Sequence, residues 1–457
     1  MPSVHPRSRF RLFALAVVGA QLVSLGPVGA VAPAPALALA AHPTIAATTG
    51  TSDAIPLGAT VTIHGRGYGH GVGMSQYGAR GRALAGATST EILAHYYRGA
   101  TLGSIPANTH IRVRVLNGFK ASSTRPLMLY GRRGEWRFEG NAAVYPKDAR
   151  IEVRPTITST ASGPAATWRV KVVGPTGTVL RSATTRSFRL LGVTNSTVFQ
   201  VASRTSSYDT YRGALRVGLV MTAPLASVTN ELTLERYLRG VVPAEMPSTW
   251  PVEALKAQAI AARSYAARRL RPGVSYYDVP DDSSSQVYLG VRGEKPATTA
   301  VIIETAGVVL MSGSSIANTL FHSAGGGGTE HNENVFVSAT GAKVAGPVSY
   351  LRGSLDRRDD GTAFDTGSPY ATWKTASYTR SQLSTWFGRD SRTNVGSITA
   401  LDLSARGVSG RLIRVTLIGS RGTKTVSGAV FRTVFNSQRP AGDPSMRSTL
   451  FDLKPVP

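Results

Sequence analysis

The segment from Pro251 to about Leu270 is the feature that most constrains the fold, because its sequence favours one long helix. Pro251 suits a first helical turn, where its missing N–H is not needed, and Glu253 lies at the positive end of the helix dipole. The pair Pro272-Gly273 then stops the helix. One face of the predicted helix is apolar, made by Val252, Leu255, Ala259, Ala262 and Ala266.

The rest of the chain mostly has the short, turn-separated pattern of strands. Residues 104–205 alternate apolar and polar positions in short runs, and clusters of Gly, Pro, Asn and Ser separate those runs, so this stretch is predicted to be a β-rich module. Residues 206–457 are mixed, with a short helix at Leu232–Leu238. Strands are predicted at Val301–Met311, Leu412–Leu417 and Ala429–Val434. The predicted fold class is therefore α+β and strand-rich.

The N-terminus has the pattern of an export signal. Three arginines precede an apolar stretch that runs from Leu12 to about Leu25, and Ala38-Leu39-Ala40 resembles a cleavage site. We therefore predict a signal peptide over residues 1–40, a flexible linker over 41–57 and a secreted, extracellular protein. The alternative is a single membrane anchor, against which the apolar run is short and interrupted by Gly26-Pro27.

Charge and cysteine content limit the partners and the chemistry. The chain has no cysteine, which excludes disulfides, thiolate metal sites and thiol nucleophiles. Its net charge is +25, and the arginines are scattered rather than clustered. For an exported protein this favours anionic cell-wall polymers or a membrane surface over nucleic acid. A basic surface that merely keeps the protein soluble explains the charge equally well.

One carboxylate is in an unusual local setting. Glu245 lies between Pro243 and Pro247, which stiffen the segment, and Met246 and Trp250 are large apolar neighbours. Partial desolvation by such neighbours raises the pKa of a carboxyl group and favours a proton donor near neutral pH. Composition alone favours the alternative, a glutamate that caps a helix or forms a salt bridge.

The sequence around Glu245 also carries a family resemblance. Residues 234–266, LERYLRGVVPAEMPSTWPVEALKAQAIAARSYA, closely resemble the signature of the SpoIID/LytB family. Further similar blocks follow in order: DSSSQVYLG at 282–290, TAG at 305–307, FHSAGGGGT at 321–329, SGR at 409–411, SGAVFR at 427–432 and RSTLF at 447–451. The resemblance implies a SpoIID-like core over 206–457, with one long helix after the loop that carries Glu245.

A glycine-rich block is similar to the family but stands in a different place. Residues 65–79, GRGYGHGVGMSQYGA, resemble a block that follows the R-S-T-x-F stretch in sporulation members, whereas here the block is near the N-terminus. We therefore predict a permuted arrangement, in which residues 58–103 pack on the core. On its own, the alternating glycine pattern matches neither a dinucleotide-binding nor a P-loop motif.

The resemblance implies a function for Glu245. In sporulation members the matching glutamate is the catalytic acid of a lytic transglycosylase, which cleaves peptidoglycan glycan strands and leaves 1,6-anhydroMurNAc ends. The alternative is a non-catalytic wall-binding protein that enhances an N-acetylmuramoyl-L-alanine amidase, as LytB-type members are described. A third hypothesis, a binder of anionic polymers, needs only the charge.

The remaining blocks contribute candidate sugar-binding and metal-binding residues. The predicted substrate-binding residues are His70, Ser75, Gln76, Tyr77, His322, Ser323, Gly325, Gly326 and Thr329. Some sporulation members bind zinc through His and Cys. Without cysteine, a site would need His322, Glu330, His331 and Glu333, and we predict no metal or cofactor. Arg263 and Tyr265 on the long helix are expected to be packing and surface residues.

Overall fold

The computed structural model describes residues 53–455 of the chain. The predicted signal peptide, residues 1–40, and residues 41–52 of the predicted linker lie outside the described residues. Strands account for 33% of the described residues and helices for 20%, so the prediction of a strand-rich α+β fold is confirmed. The helices are α1 Gln76–Leu84, α2 Ser89–Tyr96, α3 Leu234–Glu245, α4 Val252–Ala267, α5 Gly290–Gly293, α6 Pro296–Glu304, α7 Asn332–Val335, α8 Arg380–Gly388 and α9 Gly428–Gln438.

The strands are mostly short, and only a few exceed eight residues. The first half contains β1 Ala54–Pro56, β2 Thr60–Val61, β3 His64–Gly65, β4 Met74–Ser75, β5 Thr101–Ser104, β6 His110–Lys120, β7 Leu127–Arg132, β8 Trp136–Phe138, β9 Val144–Tyr145, β10 Arg150–Thr160, β11 Gly163–Val173, β12 Val179–Thr184, β13 Ser187–Gly192, β14 Val198–Val201, β15 Thr210–Tyr211, β16 Ala214–Leu219 and β17 Leu225–Thr233. The second half contains β18 Val279–Pro280, β19 Val308–Ser312, β20 Ser315–Ile316, β21 Phe321–His322, β22 Trp373–Lys374, β23 Tyr378–Thr379, β24 Ile398–Asp402, β25 Arg414–Gly419, β26 Gly422–Ser427 and β27 Phe451–Asp452.

Two large sheets and the helix pair α3–α4 share one hydrophobic core. The seven-stranded sheet has the order β18-β6-β17-β16-β13-β8-β9, and the six-stranded sheet has the order β12-β11-β10-β7-β14-β15. Buried side chains of both sheets form one cluster with Leu234, Tyr237 and Ala259 of the helices. Strand β6 from residues 104–205 pairs with β17 from residues 206–457, so these two predicted segments build one sheet together.

A separate core forms in the C-terminal part. The four-stranded sheet β1-β24-β25-β26 packs with α8 and α9 around Phe431 and Phe435. Strand β1 lies in the range predicted as linker, and it pairs with β24 through Ala54 and Asp402. Residues 54–56 of the predicted linker therefore belong to this sheet.

The glycine-rich segment packs on α4. Helices α1 and α2 bury Ala79, Ile92 and Tyr96 in a cluster that also contains Leu255 and Ile260 of α4. Helix α2 begins at a capping box, in which Thr88 accepts from the Glu91 N–H and Glu91 accepts from the Thr88 N–H. Helices α1 and α2 are thus held by the face of α4 that the two large sheets leave uncovered, whereas Val61 and Ile63 pack in the C-terminal core.

One strand prediction is wrong and another is right only in its second half, and both errors are strand–helix confusions. Most of Val301–Met311 is the end of α6 and the start of β19, and Ala429–Val434 lies inside α9. The pattern of a short apolar run does not distinguish a buried strand from a buried helix. The short helix predicted at Leu232–Leu238 begins at Leu234 and extends to Glu245, with Pro243 inside it.

Candidate functional site

Glu245 is the last residue of α3 rather than part of a loop between helices. Thr233 caps the start of α3 by accepting from the Arg236 N–H, and the chain turns to an extended conformation at Met246, whose φ is −129°. The Met246 side chain is fully buried, whereas the Glu245 side chain is partly exposed. The end of the helix therefore places one carboxyl group at the surface of a packed interior.

A glutamine from the glycine-rich block contacts this carboxyl group. The Gln76 side-chain nitrogen Nε2 donates to Glu245 Oε2 at 3.3 Å and to Gln258 Oε1 at 3.4 Å. Gln258, on α4, is fully buried, and its own Nε2 has no hydrogen-bond partner among residues 53–455. Sequence analysis did not single out Gln258. The sequence did contain a signal for it, namely one glutamine among the alanines of α4. A buried glutamine needs hydrogen-bond partners for its amide, so this position indicates a polar contact inside the fold.

The surroundings of Glu245 favour its protonated form. Burial raises the pKa of Glu245 to about 7, and the hydrogen bond from Gln76 lowers it in part. Within residues 53–455, no second carboxylate contributes to this shift. A carboxyl group with a pKa near neutrality is able both to give and to accept a proton at neutral pH.

We expect Glu245→Gln to stabilise the protein at pH 8 but not at pH 4. The folded-state pKa is raised, so the unfolded state ionises first as the pH rises from about 4.5, and wild-type stability falls until about pH 7. Glutamine removes this cost, which is on the order of 3 kcal/mol above pH 7. Urea unfolding of both proteins at the two pH values measures the difference. An equal difference at both pH values would contradict the raised pKa.

Ser75 joins the two glycine-rich blocks. Its Oγ accepts from the Gly78 N–H at 3.1 Å, which caps α1, and from the Gly325 N–H at 3.0 Å. Strands β4 and β21 pair in parallel, with His322 opposite Ser75, and the Tyr77 N–H donates to the Ser323 carbonyl at 2.9 Å. Blocks that are about 250 residues apart in the sequence thus form one junction beside Glu245.

Two histidines lie at this junction. His322 is 2% exposed, and its Nδ1 donates to the Val72 carbonyl at 3.2 Å, while His70 Nδ1 accepts from the Val72 N–H. Burial and the nearby Arg411 guanidinium lower the pKa of His70 to about 4, and burial lowers the pKa of His322 well below its usual value. Both imidazoles are therefore neutral at neutral pH.

Two charged side chains form hydrogen bonds with the backbone of the glycine run 325–328. Arg411, which is fully buried, donates to the Gly325 carbonyl at 2.8 Å and to the Gly328 carbonyl at 3.1 Å. Asp365 accepts from the Gly326 N–H at 2.6 Å, and Gly326 has a φ of +73°, which disfavours a side chain. The side chain of Thr329 is also buried and bonds to Ser354.

The structure thus separates the predicted sugar-binding residues into two groups. The buried residues are His322, Gly325, Gly326, Thr329, Ser75 and Gln76, whereas Tyr77, His70 and Ser323 remain partly exposed. The buried residues make contacts within the junction of the two glycine-rich blocks. Direct contact of any of the nine with a sugar stays a prediction.

The residues considered for zinc have other partners. Glu330 accepts from the N–H groups of Val408 and Ser409 and from the Ser409 hydroxyl, while Glu333 pairs with Arg352. Across residues 53–455, no three His, Asp or Glu side chains come together in a metal-binding arrangement.

Among the described residues, no helix is long and apolar enough to span a bilayer.

Comparisons with known proteins find relatives of parts of this chain. The SpoIID family model, described as Stage II sporulation protein, matches residues 225–311, which include α3, Glu245 and α4. An amidase enhancer of Bacillus subtilis is 30% identical over 191 residues, 38% of this chain and 25% of that protein. An uncharacterised protein of Brachyspira hyodysenteriae is 37% identical over 111 residues, 24% of this chain and 30% of that protein.

The similarity is strongest over a short stretch. A Stage II sporulation protein D of Bacillus amyloliquefaciens is 53% identical over 45 residues, 10% of this chain and 13% of that protein. The matched segments span less than a third of the length of each of these relatives. No solved structure matches the chain.

Proposed function

We propose, from the premise that this chain belongs to the SpoIID/LytB family, that it is a secreted, cell-wall-associated lytic transglycosylase with Glu245 as its acid and base. Its substrate is the MurNAc–GlcNAc bond of peptidoglycan glycan strands, including strands stripped of stem peptides. The observation that carries the proposal is the single partly exposed carboxyl group at the end of α3, whose pKa burial raises to about 7.

One carboxyl group suffices for this reaction. The protonated Glu245 gives its proton to the bridging oxygen between MurNAc and GlcNAc, and the bond from that oxygen to MurNAc C1 breaks. The carboxylate then takes the proton of the MurNAc C6 hydroxyl, whose oxygen bonds to C1. The product is a 1,6-anhydro sugar, the proton returns to Glu245, and no water is consumed. Hydrolytic glycosidases, in contrast, generally need two carboxylates.

The raised pKa suits both halves of the cycle. With a pKa of about 7, close to half of the Glu245 side chains carry a proton at neutral pH. Proton transfer is most efficient when the pKa of the group lies near the working pH, since both protonation states are then accessible. The Gln76 hydrogen bond also fixes the orientation of the carboxyl group, so we assign Gln76 as a positioning residue.

Gln76→Leu is expected to move the alkaline limb of the cleavage rate to higher pH. The Gln76 amide stabilises the carboxylate form, so its removal raises the pKa of Glu245 further above about 7. We expect a shift of about one pH unit, since hydrogen bonds to charged groups contribute roughly 1.5–3 kcal/mol and this bond is long. The pH profile of kcat/KM measures it. A lower rate with an unshifted limb would mean that Gln76 has only a structural role.

A second candidate function is enhancement of a cell-wall amidase without catalysis. The 30% identity to a protein named amidase enhancer, over 191 residues, favours it. In that case the basic surface and the site beside Glu245 bind peptidoglycan or anionic wall polymers. The bound wall is then presented to a partner N-acetylmuramoyl-L-alanine amidase. The net charge of +25 suits such attraction to an acidic wall.

The test is a digest of purified peptidoglycan, intact and amidase-stripped, by a protein covering residues 41–457. Mass spectrometry reads the products for 1,6-anhydroMurNAc ends. Such ends on either substrate support the transglycosylase. Their absence on both, with a faster release of stem peptides when an amidase is added, would replace it by the enhancer.

A further inference from the structure

An aromatic pair with an arginine lies next to Glu245. The rings of Tyr77 and Trp250 pack edge to face, with centroids 4.7 Å apart, and the Arg80 guanidinium lies 5.7 Å from the Trp250 ring. All three side chains are partly exposed. Tyr77 follows Gln76 in α1, and Trp250 lies in the turn between α3 and α4. We call these three residues the proximal unit.

A second group repeats the same composition. The rings of Tyr68 and Tyr370 pack edge to face at 4.8 Å, and the Arg447 guanidinium lies 5.6 Å and 5.0 Å from them. These side chains are also partly exposed. Arg447 bonds to the Tyr68 hydroxyl and holds down its pKa, although burial raises that pKa overall. We call these three residues the distal unit.

The two units adjoin each other. The Gly67 N–H donates to the Tyr370 carbonyl at 2.8 Å, and a Cβ added to Gly367 would meet Arg80 Nη1 at 2.7 Å. Arg80 of the proximal unit thus lies against the loop that carries Tyr370 of the distal unit.

Among the described residues, the arginines of the two units have no carboxylate partner, unlike Arg82 and Arg263. Arg82 pairs with Asp356 and Arg263 pairs with Glu235. In contrast, within residues 53–455 no carboxylate pairs with Arg80 or Arg447. A planar guanidinium without a carboxylate partner is suited to bind an external carboxylate through two parallel hydrogen bonds.

We propose that the proximal and distal units are subsites for acidic sugars, in which the aromatic rings stack on the pyranose and the arginines bind its carboxylate. This inference rests on the proposed function, and it names the lactyl carboxylate of muramic acid as the recognised group. Aromatic rings provide apolar faces of low conformational entropy for the C–H groups of a sugar. The arginines add selectivity for muramic acid over the neutral N-acetylglucosamine.

The test measures binding without cleavage, in the Glu245→Gln background. The probes are a peptide-free oligosaccharide of alternating GlcNAc and MurNAc and a GlcNAc oligomer of equal length, both measured by isothermal titration calorimetry. We expect the acidic probe to bind about tenfold more tightly than the neutral one. Arg80→Gln combined with Arg447→Gln removes this preference and leaves binding of the neutral probe unchanged.

Two tyrosine variants test stacking separately from charge. Tyr370→Ala is expected to weaken both probes about tenfold, whereas Tyr370→Phe keeps the ring and binds as the parent does. Equal thermal midpoints of the two variants exclude loss of folding as the cause. Equal affinity of the parent for the two probes, no binding of either, or unchanged binding by the arginine or Tyr370→Ala variants would overturn the proposal.

The outcomes separate this inference from the proposed activity. If the wild-type protein makes no anhydro ends but shows the preference for the acidic probe, the subsites stand and the transglycosylase fails. If it makes anhydro ends while the variants bind as the parent does, the activity stands and the subsites fail.

Discussion

Glu245→Gln is expected to abolish formation of 1,6-anhydroMurNAc ends while the protein stays folded. Glutamine has nearly the shape of a protonated glutamate but cannot give its proton to the glycosidic oxygen. General acid–base catalysis by one positioned side chain contributes about 10²–10⁴-fold, and here one group performs both steps. The measurement is the yield of anhydro ends from peptidoglycan digests by mass spectrometry.

Glu304→Gln is the matched control for this substitution. Glu304 is exposed at the end of α6. Its replacement by glutamine is the same chemical change, made outside the candidate site. We expect its yield of anhydro ends to equal that of the wild type. Undiminished anhydro ends from Glu245→Gln would remove Glu245 from the chemistry, and an unchanged enhancement of amidase by both variants would favour the binding role.

Arg263→Met is expected to destabilise the protein by about 3–5 kcal/mol, the usual cost of breaking a buried ion pair from one side. Arg263 is fully buried on α4 and donates to both carboxylate oxygens of Glu235, at 2.9 Å and 2.8 Å. It also donates to the Val308 carbonyl at 3.0 Å. The variant removes the guanidinium that neutralises Glu235, whose Oε1 then keeps only the bond from the Gly307 N–H, at 3.0 Å. Urea unfolding at neutral pH measures the loss.

Two further variants separate the ion pair from other effects. Arg268→Met changes an exposed arginine at the end of the same helix, and we expect a loss below about 1 kcal/mol. Arg263→Met combined with Glu235→Gln removes the unpaired charge, so it is expected to lose less than the single variant does. A single variant as stable as the wild type would show that the pair contributes no net stability.

The prediction for Arg263 also shows a limit of sequence analysis. A helix residue of this type is usually at the surface, and Arg263 was expected there or in packing. Its burial follows from the position of Glu235 at the start of α3, which no local pattern of α4 indicates. The face of a helix that is covered depends on the elements that pack on it, and α4 is covered on both sides.

Local patterns were sufficient where the chain itself dictates the conformation. The helix predicted from Pro251 to about Leu270 exists as Val252–Ala267, because a proline start and an apolar stripe act within a few residues. The alternating runs of 104–205 form β6, β10 and β11. Alternation failed at Ala429–Val434, where a short apolar run belongs to α9.

By itself, the sequence determined the strand-rich α+β class, the long helix and Glu245 as the candidate acid, because these depend on residue order along one segment. Only the tertiary structure decided what surrounds that acid. Gln76 reaches Glu245 from 169 positions away, and Ser75 reaches Gly325 from 250 positions away. The pKa of Glu245 rises because packing removes water from the carboxyl group, and packing is a property of segments brought together by the whole fold.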